Sequence, residues 1–107
     1  MVIAVDFDGC LCSDKFPDIG EPNWSAIEEL KKRQKNGDKI ILWTCRCDSD
    51  LMSAIAACRT WGIYFDAVNR NLPERIYQYK SDPRKISADE YWDDRSVKVA
   101  VLKGENV

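Results

Sequence analysis

Short runs of apolar, β-branched residues alternate along this chain with longer stretches of helical periodicity, and few architectures accept that order. Val2 to Val5 (VIAV) is one such run, followed by the turn-forming pair Asp8-Gly9, and reads as a buried strand. After an irregular stretch containing Pro17, Gly20 and Pro22, the segment NWSAIEELKKRQKNG reads as a helix. Ser25 and Glu28 have capping-box spacing, Ala26, Ile27 and Leu30 form an apolar stripe, and Gly37 marks the stop. Lys39 to Trp43 gives a second buried strand. SDLMSAIAACRTWG gives a second helix, with Leu51, Ile55 and Cys58 on one face and Gly62 at its end. IYFDAV supplies a third strand, and PERIYQY a short helical turn with Pro73 at its first position. DEYW and SVKVAVL read as a fourth and fifth strand on either side of the acidic turn DDRS. Strands joined through helices imply right-handed crossovers. The expected fold is α/β: a three-layer, doubly wound, mainly parallel five-stranded sheet.

Length confines that fold to one domain. With 107 residues, 45% of them hydrophobic, the chain can bury one core and has no room for a second, so residues 1–107 are expected to form a single unit. Sixteen basic residues against eighteen acidic ones give a net charge of -2 without a long basic run, and hence no strong nucleic-acid signature. No segment approaches membrane-spanning length, and the apolar start is too short for a signal peptide; the expectation is a cytoplasmic protein with no membrane partner. The five cysteines (Cys10, Cys12, Cys45, Cys47 and Cys58) lack CxxC spacing and are expected as reduced thiols. Histidine is absent. Any chemistry must therefore run on carboxylates, lysine, hydroxyls or hard cations.

Open α/β sheets bind ligands beyond the carboxyl ends of their strands. Those ends carry Asp6 and Asp8 after the first strand, Thr44 after the second, Asn69 and Asn71 after the third, and Asp93 and Asp94 after the fourth. Singly, each is ordinary: aspartate often terminates a strand, and Asp-Gly is a common turn. Jointly they are not, because carboxylates gathered in one crevice repel and raise one another's pKa unless a cation neutralises them. All-oxygen ligands without histidine select a hard divalent ion, and a site that shares a phosphate oxygen selects Mg2+ over calcium.

DFDG at Asp6 to Gly9, LWTCR at Leu42 to Arg46, and the ending in which Lys85, Asp89, Asp93 and Asp94 are spaced K-x3-D-x3-D-D form an ordered set. That set resembles the four-motif signature of the haloacid dehalogenase-like (HAD-like) superfamily, mostly magnesium-dependent phosphohydrolases with an aspartate nucleophile. The resemblance runs from Val2 to about Val101 and is closest to the small capless members, which implies a Rossmannoid domain. Cys10 stands where threonine or valine is common, a change conservative in size.

The resemblance implies a role for each matching residue. Asp6 would be the nucleophile, forming an aspartyl-phosphate that divides one hydrolysis into two easier steps. Asp8 would protonate the leaving oxygen and then deprotonate the attacking water. The metal ligands would be Asp6, Asp8 through its backbone carbonyl, Asp93 and Asp94. Thr44 would donate its hydroxyl to the phosphoryl oxygens, with Gly9 and Cys45 beside it, and Lys85 would offset their charge while orienting Asp6. Arg46 lies close enough to reach substrate, and pairing with a structural carboxylate fits it equally well. Neither the stretch from Asp8 to Thr44 nor that from Thr44 to Lys85 leaves room for a cap domain. The substrate is then either a phosphorylated macromolecular end or a small phosphate ester, enclosed by the loop from Cys10 to Pro22 or by a neighbouring subunit of a homo-oligomer. In that loop Phe16 reads either as a lid or as packing on the core edge. The rival functions are a phosphotransferase or phosphomutase of the same fold and a non-catalytic phosphate-binding module.

Overall fold

The computed structural model describes residues 1–101. In chain order the elements are β1 (Val2–Val5), α1 (Trp24–Lys35), β2 (Lys39–Leu42), α2 (Asp48–Thr60), β3 (Ala67–Val68), α3 (Pro73–Tyr79) and β4 (Glu90–Trp92). The sheet order is β3-β2-β1-β4, and every neighbouring pair is parallel. From β1 the chain steps outward through β2 to β3, then returns past β1 to place β4 on the other side. Winding reverses between β1 and β4, which leaves a crevice beyond their carboxyl ends.

The strand period of two sorts successive side chains into two cores. Ile3, Val5, Ile40 and Leu42 pack with Ile27 and Leu30 of α1 and with Ala54 and Cys58 of α2. Val2, Ala4, Ile41 and Ala67 pack on the opposite face with Leu72 and Ile86. β1 is buried throughout because both its faces are covered. Truncating a wholly buried side chain such as Leu30 to alanine should cost about 2–5 kcal/mol, so these layers hold the strand ends in place.

Several boundaries differ from the sequence reading, each for a tertiary reason. The cap of α1 is Asn23, whose Oδ1 accepts the Ala26 N–H at 3.4 Å, and Ser25 sits inside the first turn. Asn23 is held there by the loop before it, donating its N–H to Leu11 (2.8 Å) and its Nδ2 to the Cys10 carbonyl (3.0 Å). The third strand shrinks to Ala67–Val68. Ile63 instead donates its N–H to the Cys58 carbonyl at 2.9 Å, closing the end of α2 together with the Gly62 to Arg59 bond at 3.0 Å. Asp66 turns its carboxylate onto the Ile40 N–H at 2.8 Å. The expected fifth strand does not form among the described residues: 96–101 carries no regular structure, with Val97, Val99 and Val101 exposed, and Leu102 lies outside them. The sheet therefore has four strands among the described residues rather than five.

Candidate functional site

The register of β1 on β4 sets Val5 opposite Trp92, so the residues that follow, Asp6 and Asp93, emerge side by side. The Asp6 N–H continues the ladder, donating to the Trp92 carbonyl at 2.9 Å. Asp6, Asp93 and Asp94 each bring a carboxylate oxygen within 4.8 Å of the other two. Asp94 gets close because residue 9 is glycine: at φ +79 its missing Cβ would sit 2.5 Å from Asp94 Oδ2. Asp6 Oδ1 accepts the Phe7 N–H at 2.8 Å, which fixes the carboxylate and leaves its second oxygen facing outward. Burial pushes the Asp6 carboxyl up to about 6, against the lowering effect of that Phe7 N–H, and the negative charges of Asp93, Asp94 and Asp8 push it the same way. The Cys10 thiol is pushed up to about 12, mainly by its burial and then by the negative charges of Asp6, Asp93 and Asp94, so it stays protonated.

Asp8 faces a different partner. Arg46 Nε reaches Asp8 Oδ2 at 2.8 Å and its terminal nitrogen reaches Oδ1 at 2.7 Å, a bidentate pair on an almost wholly buried guanidinium. The remaining Arg46 N–H groups go to the carbonyls of Pro17 (3.0 Å), Asp18 (2.8 Å) and Asp50 (3.3 Å). All five donors are engaged within the protein. Of the two roles the sequence left open for Arg46, the structure adopts the pairing with a carboxylate and leaves no N–H for a phosphoryl oxygen. The Asp8 carboxylate likewise stands outside the group of three, so the structure does not bring it together with the other expected metal ligands.

The residues expected to contact phosphate sort in the same way. Thr44, two residues past the end of β2, donates its own N–H to Asn69 Oδ1 at 2.8 Å, while its Oγ1 accepts the Arg46 N–H at 3.1 Å. Its hydroxyl proton meets no acceptor among the described residues. The N–H groups of Asp8 and Cys45 meet no acceptor among the described residues and complete a set of donors at the strand ends. The Gly9 N–H is different: it bonds the Cys12 carbonyl at 2.9 Å, so Gly9 supplies room for Asp94 rather than the phosphate contact expected of it. Asn71 is buried and holds the 82–87 segment through Asp82, Pro83 and the Ser87 N–H, a structural duty.

Lys85 does not line the cleft that holds Asp6, Asp8 and Asp94. Ile86 anchors in the second core, and the exposed Lys85 emerges on that side with its Nζ 5.7 Å from the Tyr91 ring centre. There it lines a neighbouring cleft of about 750 Å³ with Trp43, Val97 and Asp93, the last of which borders both clefts. The carboxylates line their own cleft of about 380 Å³, with Asp14, Phe16, Thr44, Cys45, Arg46 and Arg95. Arg95 and Asp14 were missed in the sequence. Arg95 follows Asp93 directly enough for its N–H to reach Asp93 Oδ1 at 2.9 Å, a turn signal that the DDRS tetrad already carried.

The loop from Cys10 to Pro22 is pinched at its neck by the Ser13 N–H to Glu21 carbonyl and Glu21 N–H to Ser13 Oγ bonds, both 2.9 Å. Its tip carries Phe16, which is 57% exposed and lines the cleft instead of packing on the core edge. The Phe16 ring centre lies 5.1 Å from the Arg46 guanidinium carbon.

No family model and no curated protein matches this chain. A solved structure of a conserved protein from Bacteroides thetaiotaomicron does, at 41% identity and a TM-score of 0.80, over 91% of this chain and 78% of that one. The chain belongs to that protein's family. No helix among the described residues is long and apolar enough to cross a membrane.

Proposed function

We propose that this chain is a magnesium-dependent phosphohydrolase of the haloacid dehalogenase-like superfamily, acting on a phosphate monoester through an aspartyl-phosphate on Asp6. The observation that carries the proposal is charge. The cleft holds five carboxylates against two guanidinium groups, one of them paired with Asp8 and with no donor to spare, yet its free donors suit an anion. A divalent cation on Asp6, Asp93 and Asp94 reconciles the two, since a hard ion accepts an all-oxygen shell and can share a phosphoryl oxygen. When bound, it would supply charge stabilisation at the phosphoryl group.

The chain's own residues supply the rest. The outward oxygen of Asp6, held by the Phe7 N–H at 2.8 Å, attacks phosphorus in line while the bond to the leaving oxygen breaks. Asp8 gives that oxygen a proton, which requires one of its two oxygens to leave the Arg46 fork and be protonated first. A water then attacks phosphorus, Asp8 takes its proton, and the bond to Asp6 breaks to release phosphate. The Thr44 hydroxyl and the N–H groups of Asp8 and Cys45 bind the phosphoryl oxygens as fixed donors, each of which is commonly worth roughly 3 to 4 kcal/mol of barrier. Lys85 has no part in this scheme, and Arg95 at the cleft wall takes the place of a mobile counter-charge.

The test is release of phosphate from an aryl phosphate, with magnesium and with chelator, followed by panels of small phosphate esters and 5′- or 3′-phosphorylated oligonucleotides. Turnover should require the metal and vanish in Asp6→Asn. Equal rates with chelator, or an active Asp6→Asn, would refute the proposal.

A further inference from the structure

We infer that Arg46 is a positioning residue that couples the proton-carrying Asp8 to the lid over the cleft, touching neither the phosphoryl group nor the metal. Its kinetic consequences rest on the phosphohydrolase reading above; its structural content does not.

The argument starts from donor count. A guanidinium has five N–H groups in one plane. In Arg46 two are taken by Asp8, one by Asp50 at the start of α2, and two by Pro17 and Asp18 in the tip of the loop. The tip has hydrogen bonds of its own, from Asp18 N–H to Lys15 carbonyl at 2.8 Å and from Phe16 N–H to Asp14 Oδ1 at 3.3 Å. Among the described residues, every hydrogen bond that ties residues 14–19 to the rest of the protein is donated by Arg46. Ile19 adds an apolar contact to the core.

Stacking completes the arrangement. The guanidinium carbon lies 4.9 Å from the centre of the Phe7 ring, a core residue between the two catalytic aspartates, and 5.1 Å from that of Phe16 on the tip. One planar cation thus joins the core, the acid-base carboxylate, the first turn of α2 and both the backbone and the aromatic ring of the lid. Asp8 cannot be reoriented without disturbing the group that holds the lid, and the lid cannot lift without freeing donors beside Asp8. Lysine lacks the plane and two of the donors, so it cannot replace this function.

The experiment compares Arg46→Lys and Arg46→Ala with the parent by amide hydrogen exchange, by inorganic phosphate binding in magnesium, and by steady-state kinetics on an aryl phosphate. In Arg46→Lys the Asp18 amide should lose protection while Ile40 and Leu42 keep theirs. The phosphate Kd should change less than about twofold, and kcat should fall about 10–100-fold with KM nearly constant, the range typical of a lost supporting contact. Guanidinium chloride at low millimolar concentration should restore part of kcat and of the Asp18 protection to Arg46→Ala. A tenfold or larger rise in the phosphate Kd would make Arg46 a substrate ligand and overturn the inference. Unchanged protection at Asp18, or equal loss at Asp18 and in the strands, would overturn it as well. If the parent turns nothing over, the phosphohydrolase reading fails on its own, and the exchange comparison still decides the role of Arg46.

Discussion

Gly9→Ala tests whether the three carboxylates act as one metal site. The added Cβ would meet Asp94 Oδ2 at 2.5 Å and Cγ at 2.9 Å, whereas ordinary van der Waals contact begins at 3.4 Å. The carboxylate must therefore retreat by about 0.9 Å, the difference between 3.4 Å and 2.5 Å. Magnesium binds oxygen at about 2.0–2.1 Å in near-ideal octahedral geometry, so a displacement of that size removes Asp94 from any shared shell. The substitution also forces an L-residue to φ +79, which costs roughly 1–2 kcal/mol, or some 4–8 °C in Tm for each kcal/mol in a domain of this size.

Gly37→Ala separates these two effects. Its φ is +99 and nothing lies within 4 Å of the added Cβ, so it carries the backbone penalty without touching the site. Both variants should melt lower by similar amounts. Only Gly9→Ala should weaken magnesium binding, by about 10–100-fold in a calorimetric titration at pH 7, the range seen when metal ligands lose their support. Equal magnesium affinity in the two variants would refute the three-carboxylate site.

Two further outcomes are expected. Because the folded chain raises the Asp6 carboxyl from 3.8 to about 6, the folded state holds that proton more tightly than the unfolded one, so the contribution favours folding below pH 4 and is lost as pH rises through about 6. Metal-free protein should show that loss in Tm between pH 4 and pH 6, and Asp6→Asn should remove it; parallel pH profiles for the two proteins would contradict the assignment. Phe16→Ala should leave Tm nearly unchanged, since the ring is 57% exposed, and should shift kcat and KM for small phosphate esters more than for large ones; a lowered Tm with a uniform loss across substrate sizes would retire the lid.

What the sequence made legible was set by local pattern. β1 and β2 were readable because four-residue apolar runs ended by turn residues have few alternatives, and the strand-end aspartates followed from them. β3 was misread in length because two tertiary contacts, the Ile63 N–H on Cys58 and the Asp66 carboxylate on the Ile40 N–H, compete for the residues that looked like strand. SVKVAVL has the alternation of a strand, yet among residues 96–101 no neighbour offers it a ladder, so propensity alone decided nothing.

The site divides along the same line. Asp6 and Asp93 could be paired from sequence because strand order and register convert two separate strand ends into neighbours, and a short side chain at a strand end has little freedom to leave. Arg46 and Lys85 could not be placed this way, because a long flexible side chain reports where its backbone is and not where its charge goes. Arg46 turns inward across 38 residues to Asp8, drawn by a carboxylate that would otherwise be half-buried without a partner. Lys85 follows Ile86 into the second face and stays in solvent. The consequence is chemical: with Arg46 locked on Asp8 and Lys85 on the other side, Arg95 is the one remaining basic side chain lining the cleft of Asp6, Asp93 and Asp94, and the proposed divalent metal is the further charge that would balance three carboxylates in an all-oxygen setting.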